Sequence, residues 1–130
     1  MVNNALGLER TGIPFWGRAR RWLDLVSSVE DSERVRELDA ELAAARLLAW
    51  RCVGALSHGL SDGAFLPAAA AAKWWTSELA GEVARLAWEV LPPDQSEPIV
   101  REAPGLTLAA GTSEMMLATL WSTMTDEVST

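Results

Sequence analysis

PAAAAAKWWTSELAGEVARLAWEVL, residues 67–91, is the stretch on which the fold turns. It opens on Pro67, runs through five alanines and closes on Pro92-Pro93, which cannot continue a helix. Its large apolar residues are Trp75, Leu79, Val83, Leu86 and Val90, three or four apart. That spacing draws one apolar stripe along a helix of about seven turns. Lys73, Glu78, Glu82, Arg85 and Glu89 fall largely on the other side, toward water. Each stripe side chain contributes roughly 1.5–3 kcal/mol when buried, so the stripe demands partner helices.

Those partners flank it in the chain. Phe15, Ala19, Trp22, Val26 and Val29 form a stripe that predicts a helix over residues 5–28. Pro14 either kinks this helix or marks where its regular part begins. Ser27 to Ser32 is a polar connection, with Asp31 or Ser32 as the cap of the next helix. Val35, Leu38, Leu42, Ala45, Ala49, Cys52 and Leu56 keep the helical period through residues 32–58, and Gly59 reads as the stop. Residues 94–111 show no clear period and carry Pro98, Pro104, Gly105 and Gly111, so they read as irregular. A last helix over 112–125 places Leu117, Leu120, Trp121 and Met124 on one side. The expected fold is all-α, an antiparallel four-helix bundle forming one domain over residues 1–130.

Composition narrows the function. The net charge of −7 argues against a nucleic-acid partner. The charge is uneven: residues 1–29 hold four arginines against Glu9 and Asp24, a net +2, leaving −9 in the rest. Arg18, Arg20 and Arg21 read as a solvated helix face before a phosphate site. No apolar run has the length of a membrane span, and the first residues lack a leader's pattern. Cys52 is alone and sits in an apolar-periodic run, so a buried structural thiol and a cytoplasmic location are expected. His58, the single histidine, stands at a helix end, where an imidazole satisfies carbonyls. One histidine and one cysteine make no metal cluster. Seven tryptophans on or beside the stripes point to packing, and an exposed Trp50 or Trp74 would mark a partner surface.

The informative stretch is Arg101 to Glu114, REAPGLTLAAGTSE. Gly111 permits close backbone approach, Thr112 or Ser113 caps the last helix, and the helix start offers free N–H groups. With its surroundings this stretch resembles the C-terminal helical domain of flavin-dependent acyl-CoA dehydrogenases. That family reads Arg-Asp-Ala, a short variable segment, then Glu-Gly-Thr-Ser-Glu. Here Arg101 stands at the matching distance, and Gly111-Thr112-Ser113-Glu114 matches letter for letter. Ala72-Lys73 followed by Glu78 matches the family's Ala-Lys-x-x-x-x-Glu, and Leu6 to Ile13 looks like its Leu-x-x-Glu-Arg-x-Gly-Ile opening.

The resemblance implies FAD as cofactor and an acyl-CoA thioester as substrate. It implies assembly as a homo-oligomer, or as a hetero-oligomer with a dehydrogenase subunit. It also implies that Gly111, Thr112, Ser113 and Glu114 touch the cofactor in the assembled enzyme. Four departures accompany it. The helical and β domains that hold the flavin ring in the family are not among these residues. The Arg-x-x-Phe-Gly segment has no counterpart between Leu25 and Leu38, and the Gln-x-x-x-Gly-Gly loop is represented by Glu89 and Pro92-Pro93. The glutamate that most members place before Gly-Thr is Ala110. In a minority of members the base lies on the first helix before the motif's arginine, which makes Glu9, followed by Arg10, the candidate catalytic pair. Two readings follow: a domain contributing to α,β-dehydrogenation, or a non-catalytic helical partner of a complete flavoprotein.

Overall fold

The computed structural model describes residues 12–58 and 65–128. Five helices are present among the described residues: α1 (Ile13–Ser27), α2 (Glu33–Ser57), α3 (Phe65–Val90), α4 (Pro93–Leu108) and α5 (Ser113–Val128). The described residues are all-helical in architecture, and α3 is their axis, packed by each of the other four helices. Pairings along the chain give an up-down-up-down arrangement. Trp16 Nε1 donates to the Leu42 carbonyl at 2.8 Å and Arg20 pairs with Asp39, so α1 and α2 run antiparallel. Arg34 near the start of α2 meets Glu82 late in α3, and Lys73 early in α3 meets Thr107 late in α4.

The helix ends have local causes. Gly12 caps α1 at φ 76°, with Pro14 in the first turn, where a missing N–H costs nothing. A Cβ at Gly12 would lie 2.9 Å from the Ala72 carbonyl oxygen, so glycine lets α1 close on α3. Ser32 Oγ accepts from the Val35 N–H at 3.4 Å and starts α2. Pro92 and Pro93 end α3 and begin α4, since proline fits a helix's first position.

The sequence pattern over 94–111 predicts irregular chain; the structure makes Pro93–Leu108 the fourth helix of the bundle. Pro98 and Pro104 each forfeit a helical bond, about 3 kcal/mol in a helix interior. Both face water, while Ser96, Ile99, Ala103 and Leu106 are buried at helical spacing. Burying Ile99 and Leu106 returns roughly 1.5–3 kcal/mol each and carries the helix past its breakers. Helix α5, expected inside the bundle, instead packs outside it against α3. Among the described residues, Met116 is the one buried apolar side chain of this helix.

The main core joins α1 to α4 through Phe15, Trp22, Leu23, Leu38, Leu42, Val83 and Leu106. A smaller cluster of Ala49, Cys52, Ala69 and Ala72 closes the α2–α3 seam. There burial raises the Cys52 thiol's pKa, as suits a structural group. Truncating Leu42→Ala should destabilise the fold by about 2–5 kcal/mol, against ~0.5 kcal/mol or less for the exposed Leu25→Ala. Urea denaturation of the two variants measures this, and equal losses would contradict the core assigned here.

Candidate functional site

The corner between α4 and α5 is built by one side chain of α3. Lys73 is fully buried, with 0% relative exposure. Its Nζ donates to the Thr107 carbonyl at 3.2 Å and to the Gly111 carbonyl, and it lies 5.7 Å from the Phe15 ring centre. Sequence periodicity put Lys73 toward water; the fold turns it inward because the α4–α5 corner supplies acceptors there. Charge-assisted bonds of this kind are about twice as strong as neutral ones.

The chain reaches Lys73 through two left-handed residues, Ala110 at φ 56° and Gly111 at φ 104°. For alanine that region costs roughly 1–2 kcal/mol, and the ammonium bond to the next carbonyl offsets it. Ala110 also packs its methyl group against the main core. A side chain at the position before Gly111 thus starts out toward packed helices.

Thr112 caps α5: its hydroxyl accepts from the Met115 N–H at 3.3 Å and its carbonyl from the Met116 N–H at 3.0 Å. Ser113 Oγ donates to Glu78 Oε1 at 2.8 Å, tying the first turn of α5 to α3. Glu114 is exposed, and its carboxyl pKa is lowered by its own backbone N–H, by the Thr112 hydroxyl and by Lys73. The structure therefore brings Gly111, Thr112, Ser113 and Glu114 together with Lys73 and Glu78. Glu9 and Arg10 lie outside the described residues. Lys73 and Glu78 were legible as motif letters, but their pairing to this corner needed the fold.

The site has the character of an edge. Two hydroxyls are spent inside the chain, and the Glu78 and Glu114 carboxylates flank the helix start. Carboxylates at a helix start accept from N–H and O–H donors, and both oppose a phosphate. Beside it a half-open groove of about 470 Å³ runs between α3 and α4, lined by Glu78, Arg85, Trp88, Val100, Pro104 and Thr107 among others.

The other candidates take ordinary roles. His58 is exposed and its Nδ1 sits 2.7 Å from the Gly54 carbonyl at the end of α2. Arg18 pairs with Glu102, and Arg20 with Asp24 and Asp39, so two of the three clustered arginines are already bound to carboxylates. Among the described residues no group of three potential metal ligands occurs, and no helix is long and apolar enough to cross a membrane.

Burial lowers the Lys73 pKa below 10.5, against the opposing pull of Glu78 and Glu114. The unfolded chain then holds this proton to higher pH than the fold does. The cost of burying the charge is full and constant below the folded pKa, and stability rises with pH in the window up to 10.5. Unfolding free energies of the wild type and Lys73→Met, from neutral pH into that window, should show the rise in the wild type alone. Parallel curves would contradict the assignment.

A family model described as "Acyl-CoA dehydrogenase, C-terminal domain" matches residues 25–124. No curated protein matches the chain.

Proposed function

This chain belongs to the acyl-CoA dehydrogenase family, whose C-terminal domain it matches over most of its length, and on that premise we propose that it contributes to α,β-dehydrogenation of an acyl-CoA thioester. It does so within an assembly in which the flavin ring is held by other domains, of this polypeptide or of a partner subunit. FAD, when bound, supplies the acceptor for the β hydride. This chain's part is to present the start of α5, fixed by Lys73 and Glu78, to a polar edge of that cofactor through Gly111, Thr112, Ser113 and Glu114. The lone buried thiol of Cys52 suits the reducing cytoplasm in which we place the protein.

The observation that carries the reading is the α5 corner: the motif's four residues stand together at a helix start, on an internal clamp formed by the motif's own lysine and glutamate. The same corner says where the base is not. Ala110 has no proton acceptor and packs toward the core. If this chain supplies the base, it is Glu9, removing the proton α to the thioester carbonyl, with Arg10 next to it in the sequence. A general base works best with a pKa near the working pH, which a carboxylate attains in a dry site. The second reading, a non-catalytic helical partner of a complete flavoprotein, is favoured by the same silent position 110.

Glu9→Gln separates the two. In the assembled, flavin-loaded enzyme the variant should keep its flavin content and lose flavin reduction by acyl-CoA. General-base removal costs at least about a hundredfold in rate. Reduction at the wild-type rate would make this chain the non-catalytic partner.

A further inference from the structure

A cleft between α1 and α2 shares no lining residue with the α3–α4 groove, and nothing in the proposed reaction uses it. It is half open and encloses about 790 Å³, a size that suits a small molecule. One face of α2 supplies Ala43, Arg46, Leu47 and Trp50, at positions i, i+3, i+4 and i+7. Helix α1 supplies Trp16 and Arg20.

Its aromatic walls are flat and partly fixed. The Trp16 indole donates to the Leu42 carbonyl at 2.8 Å, and the Arg46 guanidinium lies 5.1 Å from its ring centre. About one turn beyond Arg46, Trp50 keeps 53% of its surface open, beside Leu47 at 68%. An open indole on a cleft wall is an anchor for a second flat ring.

The charges of the cleft select the sign of the ligand. Arg20 is bound to Asp24 and Asp39, so the Asp39 carboxylate in the lining is already balanced. Among the described residues Arg46 forms no ion pair. The lining thus carries one uncompensated positive charge, in a chain whose net charge is −7. Arginine holds its N–H donors in a planar fork that matches a carboxylate, and stacking on an aromatic face leaves those in-plane donors available.

We propose that the α1–α2 cleft binds an aromatic carboxylate, a planar ring bearing one anionic group. The ring lies against Trp50 and Leu47, the carboxylate pairs with Arg46, and the small side chain of Ala43 leaves room for both. An aliphatic carboxylate satisfies Arg46 but forgoes the stacking, and an uncharged aromatic alcohol does the reverse. The site uses neither the flavin nor the α5 corner, so its test and that of the dehydrogenation reading fail independently.

The probe is 2-naphthoate, titrated calorimetrically into the full chain at neutral pH. One molecule per chain should bind, with a Kd below about 1 mM. Octanoate, which has the charge without the ring, should bind at least about fivefold more weakly, and so should 2-naphthylmethanol, which has the ring without the charge. Arg46→Gln should weaken 2-naphthoate by about tenfold or more, and Trp50→Ala by about fivefold, with helical circular dichroism unchanged. An absence of saturation in the wild type overturns the proposal. So does an affinity that either substitution leaves unchanged, or octanoate binding as tightly as 2-naphthoate. Should those variants fail to fold, Ala43→Leu decides, because it fills the cleft from an exposed helical position and removes no charge or ring. Binding should then fall by about tenfold, and undiminished binding overturns the site.

Discussion

The buried ammonium of Lys73 sets the terms for the rest of the molecule. A charge with no exposed surface is tolerated only where acceptors surround it, and removing its partners is expensive. Here the acceptors are the carbonyls of Thr107 and Gly111, which belong to no part of α3. The last turn of α4 must therefore lie across α3, and the chain must reverse through Ala110 and Gly111 in left-handed conformations. Phe15 presents its ring from α1 to the same ammonium. One side chain thus ties α1, α3, α4 and the start of α5 to a common point.

Around that point the polar residues of the family motif act on one another before they act on any ligand. Thr112 caps its own helix, Ser113 binds Glu78, and the Glu114 carboxyl is held ionised by the first turn of α5. The hydroxyls and the carboxylate at this helix start are thus held by the chain's own groups. Proton abstraction, by contrast, has no candidate at position 110, where the methyl of Ala110 joins the core.

Much of the fold was legible from period alone. The stripes of α1, α2 and α3 were readable because their buried residues are large and regularly spaced, and Pro92-Pro93 marks a true end. Helix α4 was not, since Pro98, Pro104 and Gly105 oppose a helix locally and only the packing of Ile99, Ala103 and Leu106 against the core overrides them. The apolar side of α5 was visible, but period says only that a helix has an apolar face, not what covers it. Trp121 belongs to that face and is exposed. At the site, the Gly111–Glu114 cap was readable as a local pattern. The bonds from Lys73 and Glu78 were not, because they join residues 34 to 38 positions apart.

The claim at the centre is that this chain supplies a helical edge to a flavin held elsewhere. The most direct measurement is the visible flavin absorption of the purified chain, alone and co-expressed with a complete dehydrogenase subunit. The isolated chain should be colourless, and added FAD should show no saturation of its fluorescence change at micromolar concentration. The co-purified complex should carry flavin. Stoichiometric, tight FAD binding by the chain alone would contradict the claim.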